Sequence, residues 1–131
     1  MKTLQISIFL ENRRGSLSRI CRTLAAADVN IRALSLAEWS DFGIARLIAA
    51  DHAKAKAALE AADFAVRETE VVAVEVPDRA GGMAEIMEKL EGAGVDVRYS
   101  YANVSGLGEK AVLVFKFDDN DRAEAALAGS L

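Results

Sequence analysis

An internal repeat constrains the fold of this chain more than any other feature of its sequence. A shift of 66 residues carries Gly15 onto Gly81 and brings the segments around these two glycines into register. Identical residues then align along both copies, in the pairs Arg13/Arg79, Ile20/Ile86, Leu24/Leu90, Ala27/Ala93, Val29/Val95 and Arg32/Arg98. The 131 residues therefore predict two small modules of one fold, which we place at residues 1–70 and 71–131.

Hydrophobic spacing gives the same order of elements in both copies. In the first copy, the apolar residues of LQISIFL recur at every second position, as in a strand with one buried face. Leu17, Ile20 and Leu24 follow with the spacing of a helix stripe. A hairpin around EWSDF, an alanine-rich helix and a strand at FAVRE complete a β-α-β-β-α-β order.

The second copy repeats this order from the strand VVAVEV, with a hairpin around SGLGE, but no strand follows its last helix. The predicted fold class is therefore α+β. It consists of two ferredoxin-like modules, with antiparallel sheets and helices on one face, and the second module lacks its last strand. GLGEK, at Gly106–Lys110, lacks the spacing of a phosphate loop and favours a tight hairpin.

Composition excludes several classes of function. With 16 basic and 20 acidic residues, the chain has too little positive charge to favour nucleic acid binding. Its single cysteine, Cys21, rules out an internal disulfide and a multi-cysteine metal site, which suits a reducing compartment. In the opening segment MKTLQISIFLE, polar and apolar residues alternate and the pattern ends at Glu11, unlike the continuous apolar stretch of a signal peptide or a membrane span. We expect a cytoplasmic protein with no cofactor, no metal site and no membrane partner.

The two strand–helix turns are the candidate functional feature. We call LENRRGSL, at residues 10–17, the first turn and VPDRAGGM, at residues 76–83, the second turn. A helix start presents unpaired amides to an anion, and Gly15 permits a close approach of ligand to backbone. The Asn12 amide offers both a donor and an acceptor, which suits a zwitterion, and Asn30 is expected on the same side of the sheet. The same residues also suit an ordinary exposed turn, so this reading stays open.

The segment LENRRGSLSRICRTLAAADVNIRALSL resembles the first half of an ACT domain, a small regulatory module that binds amino acids. It is similar in particular to the ACT domain of serine-regulated phosphoglycerate dehydrogenases, with their E-N-R-P-G turn and V-N-I strand start. The second copy resembles the D-R-x-G version of the turn. The resemblance covers nearly the whole chain, which looks like the stand-alone tandem ACT proteins of bacteria.

The resemblance implies a ligand held where two ACT modules meet. It implies ligand contacts from the first turn and the following strand start, at Leu10, Glu11, Asn12, Arg14, Gly15, Ser16, Leu17, Asn30 and Ile31. A possible second site comprises Asp78, Ala80, Gly81, Gly82, Met83 and Asp96. Leu10 replaces a histidine of the serine-binding members and Arg14 replaces a proline, so serine is disfavoured. Asp78 and Asp96 replace asparagines, and their carboxylates would weaken the second site for a carboxylate ligand.

The predicted function is non-catalytic and regulatory: the protein binds a free amino acid or similar small metabolite and signals to an unidentified protein, as a homodimer. One alternative is an acylphosphatase-like enzyme that uses Arg13, Arg14 and Asn30, although no glycine-rich phosphate cradle accompanies them. Another is a ligand-free interaction module, since Trp39 falls at a hairpin tip and an unpaired strand edge needs a cover. His52 stands beside Asp51 at a helix start, which favours capping or exposure over catalysis.

Overall fold

The computed structural model describes residues 1–103 and 110–128. The elements are β1 (Lys2–Glu11), α1 (Ser16–Ala26), β2 (Ile31–Trp39), β3 (Phe42–Ala49), α2 (His52–Ala61), β4 (Ala65–Pro77), α3 (Gly82–Gly92), β5 (Val97–Ala102), β6 (Lys110–Phe117) and α4 (Asn120–Leu127). Together they confirm the predicted α+β class and the order of elements in both copies. The GLGE segment of the predicted hairpin, and the side chains of Trp39 and Lys110, lie outside the described residues.

The chain divides into two compact units. The first module is Leu4–Thr69, with strand order β2-β3-β1-β4. Antiparallel register sets Ile6 beside Leu47 and Ile8 beside Ala45, so these side chains share one face of the sheet. They pack with Ile20 of α1 and with residues of α2 in a single core, and the face of the sheet that carries them is the one that the helices cover.

Helix α1 follows from the predicted stripe. Ile20 and Leu24, four residues apart, are fully buried, and Leu17 packs partly against the same core. Helix α2 begins with a side-chain cap, because the Asp51 carboxylate accepts a hydrogen bond of 3.1 Å from the Lys54 N–H. These contacts fix both helices on the sheet of the first module and so fix the start of α1, where the first turn ends.

The second module contains Met1–Thr3 and the described chain from Glu70 onward. Its strands β4, β6 and β5 are adjacent in that order, and Val72, Val74 and Phe115 contribute to its core. The Met1 nitrogen donates to the Ala73 carbonyl at 2.9 Å and the Ala73 N–H donates back to the Met1 carbonyl at 2.8 Å. Reciprocal bonds of this kind are those of an antiparallel pair. The start of the chain therefore pairs with β4 within the second module, at the position predicted for a missing last strand.

Ion pairs hold this added strand in place. The Lys2 ammonium contacts the Asp121 carboxylate and lies 3.8 Å from a Glu70 oxygen and 3.9 Å from a Glu124 oxygen. The hydrogen bond to Asp121 is the main cause that raises the pKa of Lys2 above 10.5, and the Coulombic attraction of the three carboxylates adds to it. Lys2 thus holds residues 1–3 to the rest of the second module.

Strand β4 corrects one detail of the sequence prediction. FAVRE and VVAVEV were expected as separate strands, but residues Ala65–Pro77 form one continuous strand. No glycine or proline interrupts RETEVV, so nothing in the sequence breaks the extended backbone there. Among the described helices, none combines the length and the apolar composition that a membrane crossing requires.

Candidate functional site

The first turn bends the chain sharply from β1 into α1. The Arg13 N–H donates to the Glu11 carbonyl at 2.9 Å, and the Ser16 N–H donates to the Arg13 carbonyl at 3.2 Å. Gly15 has a φ of 88° and a ψ of −11°, a left-handed conformation that costs little only for glycine. No side chain caps the helix that begins here, and its first turn contains no acidic residue. The start of α1 therefore keeps its partial positive charge available to an anion.

A cleft of about 630 Å³ opens beside this turn, entirely within the first module. It lies between the end of β1, one side of α1 and the segment that leads from α2 into β4. Its lining residues are Phe9, Leu10, Glu11, Arg13, Arg14, Gly15, Ser16, Arg19, Arg22, Asp63, Phe64 and Ala65. The volume lies in the range of small-molecule sites.

The arginines of the cleft differ in what holds them. Arg19 is committed, because its guanidinium donates to the Ala62 carbonyl at 2.7 Å and lies 4.4 Å from the centre of the Phe64 ring. Arg13 pairs with the Glu11 carboxylate at 3.2 Å on the exposed surface. Arg22 donates from Nη1 to the Ser18 hydroxyl at 2.6 Å, which leaves its other donors available. Arg14 is exposed and makes no polar contact with the described part of the chain.

The structure brings five of the predicted ligand-binding residues together in this cleft, namely Leu10, Glu11, Arg14, Gly15 and Ser16. It does not place Asn12 there: the Asn12 amide donates to the Glu38 carboxylate at 3.1 Å. Leu17 and Ile31 pack against the core of the first module. Asn30 immediately precedes β2, and its carbonyl accepts a hydrogen bond of 2.9 Å from the Ala50 N–H.

Sequence reasoning missed Arg19 and Arg22. A signal existed, because these residues stand three apart on α1 and follow Gly15 by one and two helical turns, so they belong on one helix face. Asp63 and Phe64 carried no such signal. They reach the cleft only because α2 and β4 pack beside α1, a tertiary arrangement that local spacing does not report.

The second turn has the same backbone but different side chains. Gly81 has a φ of 85° and a ψ of −10°, the Arg79 N–H donates to the Pro77 carbonyl at 2.9 Å, and the Gly82 N–H donates to the Arg79 carbonyl at 3.0 Å. Here Arg79 is engaged within the turn region: its Nη2 lies 2.5 Å from a Glu85 oxygen and its Nη1 donates to the Ala80 carbonyl at 3.3 Å.

Gly82 marks a close contact in the second turn. A Cβ added at this buried glycine would lie 2.0 Å from the Pro77 carbonyl oxygen, a separation that no side chain tolerates. The equivalent position of the first turn holds Ser16, whose side chain is accommodated at the edge of the cleft. The start of α3 thus packs against the preceding strand more closely than a residue other than glycine allows.

The second module has a smaller cleft of about 370 Å³, away from its turn. Its lining residues are Met87, Glu91, Gly94, Val95, Asp96 and Val97. Of the possible second site, only Asp96 lies here; Asp78, Ala80, Gly81, Gly82 and Met83 do not line it. The lining contains two carboxylates and no cation, so it offers nothing to a carboxylate ligand.

The cleft of the first module contains only two of the three residues of the enzyme alternative. Arg13 and Arg14 line the cleft of the first module, whereas Asn30 does not. His52 pairs through Nε2 with a Glu68 oxygen at 2.9 Å, and Lys56 lies 3.5 Å from the same carboxylate. The hydrogen bond from His52 is the main cause that lowers the pKa of Glu68. This pair ties α2 to β4.

The chain is similar to a known family and to several solved structures. The family model described as an ACT domain pair matches residues 1–129. The solved structure of protein BT0572 from Bacteroides thetaiotaomicron is 35% identical, with a TM-score of 0.92, and the match covers 99% of this chain and 89% of that one. The regulatory subunit of aspartate kinase from Thermus thermophilus shares the fold at 14% identity and a TM-score of 0.66, and the match covers 95% of this chain and 87% of that one. No curated protein matches the chain.

Two ferredoxin-like modules in one chain, the second completed by residues 1–3, define a tandem regulatory protein of the ACT type. The chain belongs to the family of ACT domain pairs. Membership supports a regulatory role that works through a small molecule.

Proposed function

We propose that this protein is a non-catalytic regulator that binds a free amino acid or a similar small metabolite in the cleft of the first module. The observation that carries the proposal is the cleft itself. It gathers Leu10, Arg14, Gly15 and Ser16 around a helix start that no side chain caps. A ligand carboxylate at this helix start would gain from the local amides and the helix dipole.

The resemblance of the first copy to the serine-regulated dehydrogenases supports an amino acid as ligand, and two departures argue against serine. Leu10 adds an apolar side chain to the cleft at the position where the serine-binding proteins have a histidine. Arg14 adds a positive charge. An amino acid held by a few charge-assisted bonds should bind with a dissociation constant of about 10 μM to 1 mM. That range suits a sensor of metabolite concentration.

Regulation requires that the ligand prefer one arrangement of the protein over another. We propose that the chain acts as a homodimer in which a second copy completes the ligand site, and that ligand binding changes this pairing. The proposed responder is a separate, unidentified protein. Cytoplasmic metabolism is the setting that such a ligand implies.

A thermal-shift screen of the twenty amino acids and common small metabolites tests the proposal. We expect a few compounds to raise the melting temperature in a concentration-dependent manner, since a ligand that binds only the folded state stabilises it. The informative variant is Ser16→Asp, which places a carboxylate at the start of α1. An acidic residue there favours the helix by about 0.3 to 1 kcal/mol, so the protein stays folded while its own carboxylate takes the anion position.

Ala53→Asp is the matched control. It adds the same charge to the start of α2, whose first turn also lacks an acidic residue, and Ala53 lies outside the cleft. Ligand stabilisation should vanish in Ser16→Asp and persist in Ala53→Asp. A screen without any stabilising compound, or equal stabilisation of both variants, would refute binding at this turn.

A further inference from the structure

We propose that the ligand of the first module is a net anion with two carboxylates, such as an acidic amino acid or a short dicarboxylic acid. This inference rests on the proposed function and specifies the ligand class for the same cleft. The inference comes from the charges of the lining residues, because their positive excess is larger than a zwitterion with no net charge can neutralise.

The lining carries more positive than negative charge. It includes four arginines, at positions 13, 14, 19 and 22, against the two carboxylates of Glu11 and Asp63. The chain as a whole has a net charge of −4, so this excess is a local property of the cleft. A neutral amino acid brings one carboxylate and one ammonium and leaves the excess unmatched. A ligand with a second carboxylate matches it.

The cleft offers two kinds of group to an anion. One is the start of α1 after Gly15, which no side chain caps. The others are the guanidinium groups of Arg14 and Arg22, which both line the cleft: Arg14 makes no polar contact within residues 1–103 and 110–128, and Arg22 donates to the neutral Ser18 hydroxyl. A guanidinium binds a carboxylate through two parallel hydrogen bonds, which favours carboxylate geometry over a point charge.

The remaining arginines have different roles. Arg19 is held against Phe64 and the Ala62 carbonyl, so it shapes the wall of the cleft. Arg13 is paired with Glu11 at 3.2 Å. Leu10 and Phe64 add apolar surface to the same lining, which suits the short hydrocarbon spacer of a dicarboxylate.

The second copy supports a specific role for these charges. The residues equivalent to Arg14, Arg19 and Arg22 are Ala80, Glu85 and Glu88. One position loses its charge and two reverse it, although the backbones of the two turns have φ values of 88° and 85° at the shared glycine. The fold therefore does not require arginines at these positions, and their presence in the first copy calls for another reason.

Isothermal titration calorimetry on the full chain tests the inference. The probes are L-aspartate, L-glutamate and succinate, each compared with L-asparagine or L-glutamine as neutral isosteres, and inorganic phosphate as an anion of different geometry. We expect at least one dicarboxylate to bind roughly tenfold or more tightly than its neutral isostere, since a hydrogen bond between charged groups carries that much affinity. Its affinity should also fall as salt rises.

The variants Arg14→Gln and Arg22→Gln should each weaken the dicarboxylate about tenfold and leave the binding of its neutral isostere nearly unchanged. Arg122→Gln is the control: it removes one exposed arginine of α4 whose ion pair with Asp119 spans 4.0 Å, outside the first module. It should change neither affinity.

The outcomes separate the two proposals. If neutral amino acids bind as well as acidic ones and only Ser16→Asp abolishes binding, the dicarboxylate inference is wrong and the proposed function stands. Preference for phosphate over every dicarboxylate also overturns the inference. If no probe and no amino acid binds, both proposals fail together.

Discussion

The two strand–helix turns show how one backbone can carry two different kinds of chemistry. Both use a left-handed glycine, at Gly15 and Gly81, and both close with the same pair of backbone hydrogen bonds. The first turn borders a cleft in which Arg14 makes no polar contact with the residues that the structure describes. In the second turn Arg79 pairs with Glu85, and Gly82 lies against Pro77. The backbone serves the fold, and the side chains set the charge and the space beside each turn.

The largest difference between the turns should appear on substitution of the residue after the left-handed glycine. Gly82→Ala forces a Cβ against the Pro77 carbonyl oxygen, which would lie 2.0 Å away, so backbone must move. We expect a loss of about 1 to 3 kcal/mol in the free energy of unfolding, the usual cost of overpacking. Ser16→Ala, its counterpart, should cost less than about 1 kcal/mol. Urea denaturation measures both, and equal losses would show that the two turns pack alike.

The glycines that the turns share should behave in the same way. Gly15→Ala and Gly81→Ala each put a Cβ into a left-handed conformation without a close contact, since nothing lies within 4 Å of the first and only Arg79 Nη1 lies at 3.8 Å from the second. The cost is therefore conformational, about 1 to 2 kcal/mol at each site. Urea denaturation curves that differ by more than about 1 kcal/mol between the two variants would contradict a common backbone.

Removal of the ion pair in the second turn should have a smaller effect. The side chains of Arg79 and Glu85 are 56% and 51% exposed, so solvent screens their attraction. Arg79→Gln should change the free energy of unfolding by less than about 1 kcal/mol. Thermal unfolding measures the stability of Arg79→Gln and of Arg13→Gln, the equivalent variant of the first turn, and so compares the two ion pairs. A large loss in either variant would mean that the arginine is structural.

The two modules should also respond to opposite ends of the pH scale, with the smallest effects of this series because the groups are exposed. The pKa of Glu68 in the first module is lowered by its hydrogen bond from His52, so its contribution is complete above about pH 4.5 and is lost as pH falls through the folded pKa. The pKa of Lys2 in the second module is raised by Asp121, so its contribution is complete below about pH 10.5 and is lost at higher pH.

Amide hydrogen exchange, measured separately for the residues of each module, reports the stability of that module as the pH changes. The variant Glu68→Gln should weaken the acid sensitivity of the first module, and Lys2→Met should weaken the alkaline sensitivity of the second. Acid sensitivity that is unchanged in Glu68→Gln would assign it to other groups.

The sequence predicted the fold through its repeat. Alternation in β1 and the Ile20–Leu24 stripe identified the elements, because each pattern reports a buried face that the structure confirms. Two features lay beyond local pattern. The strand that completes the second module comes from residues 1–3, some seventy residues before its partner Ala73, and no spacing rule connects them. The continuous β4 was missed because two short strands and one long strand have the same alternation.

The candidate site was predicted in part for the same reason. Arg14, Gly15 and Ser16 are neighbours in sequence and share the cleft. Asn12 is equally close in sequence, yet its side chain bonds to Glu38 on β2, a partner that only the hairpin arrangement supplies. Asp63 and Phe64 reach the cleft through the packing of α2 and β4 beside α1.

An NMR titration of the isotope-labelled chain with L-aspartate, L-glutamate and succinate, each in a separate sample, tests the central claim most directly. We predict that at least one of the three causes saturable shifts of the amide resonances of Gly15 and Ser16, and that the resonances of Gly81 and Gly82 stay in place. Saturable shifts at Gly81 and Gly82, or none at Gly15 and Ser16 at millimolar concentrations of any of the three compounds, would contradict it.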